Sequence, residues 1–156
     1  EHKLIYKIKD NVELNDIPKE SSMLGKANLI KEGNDITIVA YSNMVNVAKD
    51  AIASDELQNC SIELIDLQTV SPIDYDTVKK SLKKTKRLLV CQEAPSNSSV
   101  GTTVISKIVE SELFHELEVA PKLVSGLHSP MPSAKHLELN VIPQAEDITN
   151  AVKSML

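Results

Sequence analysis

The hydrophobic positions change period several times along the chain, and each change marks an element. Ile36-Thr37-Ile38-Val39-Ala40, Ser61 to Leu67 and Arg87 to Cys91 are short aliphatic runs, the pattern of strands covered on both faces. Between them the spacing becomes helical: Met44, Val47, Ala48, Ala51 and Ile52, then Tyr75, Val78 and Leu82, recur three and four residues apart. Ser42 or Asn43 is placed to cap the first helix, and Pro72 with Asp74 introduces the second. A polar loop, Ser96 to Gly101, leads to a helix from Thr102 to Glu112 with Val104, Ile105, Ile108 and Val109 inward. Lys122-Leu123-Val124 predicts a further short strand, Ser129 to Pro132 a proline-rich loop, and Gln144 to Leu156 a last helix. Ile148, Ala151, Val152 and Met155 share one face of it. Asn28 to Lys31 is one more short apolar piece, followed by the turn Glu32-Gly33-Asn34-Asp35.

Strands alternating with helices of about three turns form βαβ units, which pair in parallel through right-handed crossovers. The expected fold is α/β: a three-layer α/β/α sandwich around a mostly parallel sheet of about five strands. Arg87 to Cys91, the most apolar run, is expected at its centre. Residues 25–156 make up this unit. Glu1 to Leu24 alternates poorly and carries Asn11, Asn15-Asp16, Pro18 and Ser21-Ser22. It reads as an interdomain linker or extended arm, with Leu4, Tyr6 and Ile8 along one face of a short strand.

Composition narrows the function classes. The 156 residues suit one domain, and 42% apolar with 25% charged residues is the balance of a soluble globular protein. A net charge of −5 argues against a nucleic-acid partner. The one basic cluster, Lys79-Lys80 through Lys83-Lys84 to Lys86-Arg87, has helical spacing and is expected to be a solvated helix face. No apolar stretch is long enough to span a bilayer, and the charged start at Glu1-His2-Lys3 is unlike a signal peptide. Cys60 and Cys91 fall in or beside apolar runs and have no CxxC partner. Buried thiols in a reducing compartment are expected.

Motifs for self-contained chemistry are missing. There is no GxGxxG, GxxxxGK[ST] or GxSxG, and His2, His115, His128 and His136 lack metal-site spacing. His128, in a loop after a strand, is the one histidine weighed for function, against the commoner solvated loop histidine. Glu93 follows the strand Leu88 to Cys91, where open α/β sheets place their crevice. Its alternative is a carboxylate bonded to a neighbouring loop or a partner subunit. The residues alone lead to an α/β domain with no complete active site.

Several segments, in order, resemble a known family. Gly25-Lys26-Ala27 and Lys31-Glu32-Gly33-Asn34-Asp35-Ile36-Thr37-Ile38-Val39-Ala40-Tyr41-Ser42 resemble the entry to the transketolase C-terminal-like domain of thiamine-diphosphate-dependent 2-oxoacid dehydrogenase β subunits. Ile65-Asp66-Leu67-Gln68-Thr69-Val70-Ser71-Pro72-Ile73-Asp74 is similar to that family's D-L-R-T-x-x-P-x-D segment, with Gln68 where Arg is usual. Gln92-Glu93-Ala94-Pro95, Val100-Gly101, the loop Gly126 to Lys135, and Ile142-Pro143-Gln144 with Asp147-Ile148 continue the match. The loop and the last turn look most like the pyruvate dehydrogenase branch. Branched-chain and acetoin enzymes share the fold, as do transketolases and deoxyxylulose-phosphate synthases, and a free-standing α/β adaptor is the alternative from another class.

The resemblance implies a part of an oxidoreductase that is not catalytic by itself. Thiamine diphosphate and magnesium belong to the complete enzyme, between the α subunit and the β N-terminal domain, and none is expected on this domain. The implied partners are α and β subunits in an α₂β₂ heterotetramer, with Glu93, Pro95, His128, Pro130 and Pro132 as interface candidates. A further implied partner is the peripheral binding domain of the dihydrolipoamide acyltransferase, met by Glu118 and the carboxylate of Leu156. The implied location is a bacterial cytoplasm or an organelle matrix.

Overall fold

The computed structural model describes residues 5–9 and 24–156. Ten elements follow one another: β1 (Asn28–Lys31), β2 (Ile36–Ala40), α1 (Met44–Ile52), β3 (Ile62–Asp66), α2 (Tyr75–Thr85), β4 (Leu88–Pro95), α3 (Val100–Val109), β5 (Lys122–Gly126), α4 (Lys135–Glu138) and α5 (Ala145–Lys153). Single 3-10 turns lie at Ile5–Lys7, Asp55–Leu57 and Glu112–Glu116. The strands form one five-stranded sheet in the order β1-β3-β2-β4-β5. The β3–β2, β2–β4 and β4–β5 pairs are parallel, and only β1 runs antiparallel, against β3.

The period of two in each strand divides the core into two layers. Ile36, Ile38 and Ala40 of β2 join Met44, Ala48, Ile148 and Val152 on the face covered by α1 and α5. Val39, Ile65 and Val90 point the other way, to Val78, Leu82, Val104 and Ile108 of α2 and α3. The three-layer sandwich with about five strands is therefore the observed architecture. The strand order puts β2, every residue of which is buried, in the middle, and not Arg87 to Cys91. That run (β4) is interior but fourth in order. Apolarity reports burial on both faces, which two neighbouring strands share, and cannot rank them.

Local chemistry fixes the helix starts. Asp74 caps α2: Oδ1 accepts from the Thr77 N–H at 3.1 Å, while Oδ2 takes the Thr77 hydroxyl at 2.8 Å and the Ala27 N–H at 3.1 Å. Burial raises the Asp74 carboxyl pKa, but these bonds outweigh it and hold the group below its ordinary value. The helix that Pro72 and Asp74 were expected to introduce thus starts there, on an Asp74 side-chain cap. Asn43 occupies the cap position of α1 without capping it; its amide donates to Glu93 Oε1 instead, at 3.3 Å. Ser99 and Thr102 form a reciprocal capping box, so α3 starts at Val100. It ends at Val109, where the Ser111 hydroxyl donates to the Ile108 carbonyl at 2.7 Å, and Glu112 falls in the next turn. Val109, expected inward, is exposed, and Gly101 takes the buried position beside Val104 and Ile108.

Other expectations need amending. The strand expected through Leu4, Tyr6 and Ile8 is a 3-10 turn over Ile5–Lys7 with Tyr6 and Ile8 exposed; Leu4 and most of the expected linker lie outside the described residues. Cys91 is buried, and burial pushes its thiol pKa up. Cys60 is only partly covered, being in the turn before β3, and both thiols are free. No helix among the described residues is long and apolar enough to cross a membrane.

Candidate functional site

The sequence-derived residues fall at two opposite ends of the sheet. Where the parallel strands finish, β4 carries Gln92, Glu93 and Pro95. Gln92 is wholly buried. Its Oε1 accepts the Gly101 N–H at 2.7 Å, and its Nε2 donates to the carbonyls of Ala94 and Pro95 at 2.9 and 3.1 Å. One amide thereby ties the strand end to the first turn of α3. The helix can come that near because residue 101 is glycine: a Cβ there would stand 2.6 Å from Gln92 Oε1.

Glu93 is half-buried beside Asn43 and Tyr41. Burial, and then the Glu93 charge, raise the Tyr41 phenol pKa. Pro95 pairs with Gly126, and a Cβ on Gly126 would meet the Glu93 carbonyl at 2.2 Å. The loop that follows is drawn back over this end by the Leu127 N–H, which donates to Val141 at 3.0 Å. His128 and Pro130 are exposed and Pro132 is half-buried. Leu127, Met131, Leu137 and Leu139 are exposed on the same segment. Glu93, Pro95 and the His128 to Pro132 loop thus share one end of the domain, with apolar side chains around them.

Glu118 and Leu156 belong to the opposite end, where the strands start. The Glu118 N–H donates to the Lys86 carbonyl at 3.0 Å, and its Oε2 lies 2.5 Å from Arg87 Nη2. Arg87 Nη1 donates to the Asp35 carbonyl at 3.1 Å. The guanidinium therefore bridges the starts of β2 and β4 to the connector before β5, while Glu118 stays 46% exposed. α5 ends nearby: Lys122 Nζ donates to the Ser154 hydroxyl at 2.7 Å, Met155 is buried and Leu156 is half exposed.

The basic face is solvated as expected at Lys80, Lys83, Lys84 and Lys86, and two of the cluster's cations also hold acids on other elements. Arg87 holds Glu118. Lys84 pairs with Glu63, a carboxylate on β3 that is 97% covered, which the sequence reading passed over. Glu63 also accepts from Ser81 and from the Gly33 N–H. Burial raises its pKa, but those bonds prevail and hold the carboxyl below its ordinary value. Lys79, Lys80 and Lys83 line an open cleft of about 610 Å³ shared with Glu110, Glu112 and Glu116. A signal for Glu63 was available: an acid between Ile62 and Leu64, in a strand covered on both faces, must find a partner.

Gly33, Gly101 and Gly126 are closed against the protein's own atoms and do not open into a phosphate cradle. Among the described residues no three His, Cys, Asp or Glu side chains form a group able to hold a metal ion.

Comparison with known proteins places the fold. The family model described as "Transketolase, C-terminal domain" matches residues 25–148. The chain belongs to this family. It is 40% identical over 150 residues to the pyruvate dehydrogenase E1 component subunit beta of Rickettsia bellii, covering 96% of this chain and 44% of that protein. The mitochondrial counterpart of Pisum sativum is 37% identical over 130 residues, or 83% of this chain and 36% of that one. The beta subunit of acetoin:2,6-dichlorophenolindophenol oxidoreductase from Cupriavidus necator is 31% identical over 158 residues, with 100% and 45% covered. Among solved structures, a split-gene transketolase described as an inactive beta4 tetramer superposes with a TM-score of 0.70 at 25% identity, covering 85% of this chain and 42% of that chain. This transketolase C-terminal domain spans less than half the length of the curated relatives it matches.

Proposed function

We propose that the chain is the C-terminal domain of the β subunit of a pyruvate dehydrogenase decarboxylating component, acting in assembly and docking. The observation that carries this reading is the 40% identity over nearly the whole domain. The higher identity to the pyruvate dehydrogenase subunit, 40% against 31% to the acetoin enzyme, supports pyruvate as the substrate of the complete enzyme. That enzyme, an α₂β₂ heterotetramer, would decarboxylate pyruvate oxidatively and pass the acetyl group to lipoamide, in a bacterial cytoplasm or an organelle matrix. Thiamine diphosphate and magnesium would sit between the α subunit and the β N-terminal domain, which together position both faces of the cofactor.

Each end of the sheet then has a task. The Glu93, Pro95, His128, Pro130 and Pro132 end, with its exposed leucines, would pack against other subunits. The Glu118 and Leu156 end would receive the basic peripheral binding domain of the dihydrolipoamide acyltransferase. Charge pairs at interfaces set register and on-rate, and close pairs carry about 1.5–7 kcal/mol of coupling. Glu118 is shared with Arg87, which places it near the lower bound.

The test is calorimetry of the complete enzyme with the purified peripheral domain. Glu118→Lys should weaken binding about tenfold or more at low salt. Unchanged affinity at low salt would remove the docking role. Micromolar thiamine diphosphate binding by this chain alone would remove the assembly reading as well.

A further inference from the structure

The β1 margin of the sheet holds a cavity that neither end of the domain uses. α2 lays Val78 and Leu82 on the core layer shared with Val39 and Ile65, while β1 lies outside β3 at the edge of the sheet. A neighbouring stripe of α2, made of Thr77, Lys80, Ser81 and Lys84, faces Ala27 and Leu29 across about 380 Å³. That volume falls within the roughly 300–1,000 Å³ of small-molecule sites. The sheet side of the wall is aliphatic: Ile65 is fully buried, Ala27 packs on the same core layer, and Leu29 is 42% exposed. Covering that leucine with an apolar group is favourable.

The polar groups around the cavity are unequally committed. The Thr77 hydroxyl is engaged by Asp74, and that of Ser81 by Thr37 and Glu63. Glu63 lines the cavity with a carboxylate that is 97% covered. Lys84, Ser81 and Gly33 donate to it, and a carboxylate has about four acceptor sites. Lys84 spends one of its three donors on Glu63 and stays 42% exposed. An acceptor and a donor of opposite charge therefore stand side by side with capacity left. Lys80 and Glu32, both exposed, complete a lining of two acids and two lysines. Outside it, Lys26 is set against Asp74 and Lys31 is exposed. Asp76, Lys79 and Lys83 belong to the cleft shared with Glu110, Glu112 and Glu116, which Lys80 also borders. A ligand of one sign meets repulsion here as well as attraction. A ligand with both signs on neighbouring atoms satisfies Glu63 and Lys84 together.

We propose that this cavity binds a free α-amino acid with an aliphatic side chain the size of Val or Leu. Its ammonium donates to Glu63, its carboxylate accepts from Lys84, and its side chain covers Leu29 against Ala27 and Ile65. The bound amino acid ties the β1 margin to α2. The site is independent of the docking role of Glu118.

Calorimetry of the complete enzyme with L-leucine tests this, against isocaproate and isopentylamine, which each lack one of the two charges. Leucine should bind once per β subunit with a dissociation constant of about 1 mM or tighter. Each analogue should bind about tenfold or more weakly, having lost a charge-assisted bond. Leu29→Ala should weaken leucine binding about threefold or more, with an unchanged melt of the free protein because the position is half exposed. Glu63→Gln should weaken it about tenfold or more. No heat of binding at about ten times the stated concentration would overturn the proposal. Isocaproate binding as tightly as leucine would show an anion site that does not use Glu63, and would overturn it too. Leucine binding that Leu29→Ala leaves unchanged would place the ligand elsewhere in the enzyme, with the same consequence.

Discussion

The two ends of the sheet satisfy their polar groups by different means. Where the strands finish, one uncharged amide, Gln92, sits wholly out of solvent and makes four bonds to its surroundings, the longest from the Tyr41 hydroxyl at 3.5 Å. Where they start, ions take over: Glu63 with Lys84 under α2, and Arg87 with Glu118 at the surface. Thr37, 2.5 Å from the Ser81 hydroxyl and 2.6 Å from that of Thr85, adds a hydroxyl cluster to that end. A buried amide is indifferent to pH and salt and fixes backbone positions. Ion pairs respond to both, the more so as they are exposed. One end is therefore built for constant geometry, and the other for a surface that answers to its surroundings.

The sharpest way to break this contrast is at Gly126. A side chain there collides with the Glu93 carbonyl, a backbone atom that cannot swing aside. Gly126→Val should cost about 3 kcal/mol or abolish folding, read by urea denaturation of the chain. A loss below about 1 kcal/mol would show that this end yields easily.

Glu63→Gln comes next, at about 1–3 kcal/mol at neutral pH, since the amide keeps the bond from Gly33 and loses the charge-assisted one. Its pH dependence has a definite sign. Burial pushes the carboxyl pKa up, but the bonds from Lys84, Ser81 and Gly33 bring the folded value below the ordinary one. Such a group stabilises the fold fully above its unfolded pKa, and that contribution is lost as pH falls through the lower folded value. Stability curves of the parent and Glu63→Gln should thus converge in acid. Parallel curves would trace the effect to packing. Gln92→Leu, at the other end, should show a gap that does not close with acid.

The smallest effect is expected at the surface pair. Arg87→Gln should cost 0–1 kcal/mol of stability at low salt and less at high salt, because Glu118 is nearly half exposed. A loss well above this, insensitive to salt, would make the pair structural and weaken the contrast between the ends.

Much of the fold was legible in the residues. The aliphatic runs located β2 to β5, Asp74 announced α2, and the ordered segments from Gly25 onward indicated the family. Strand order was not legible, because β2 and β4 are both covered on each face and only pairing tells them apart. Nor was the end of α3: Val109 continues the helical period, and the stop comes from Ser111. The partners of Lys84 and Arg87 lie 21 and 31 residues away in sequence, joined only once the sheet has formed. Spacing inside a lysine run carries no information about acids on other elements.

The short antiparallel strand β1 has a consequence for solubility. A sheet that ends in a flat row of free amides and carbonyls invites further strands, and with them fibres. β1 is four residues long, breaks register between Leu29 and Lys31, and closes with a lysine, each of which discourages such recruitment. At the far margin β5 is nearly as short, beginning with Lys122 and ending in Gly126. Sideways growth is blocked at both margins, so a crowded solution of this domain should associate through its two ends and not polymerise through its backbone.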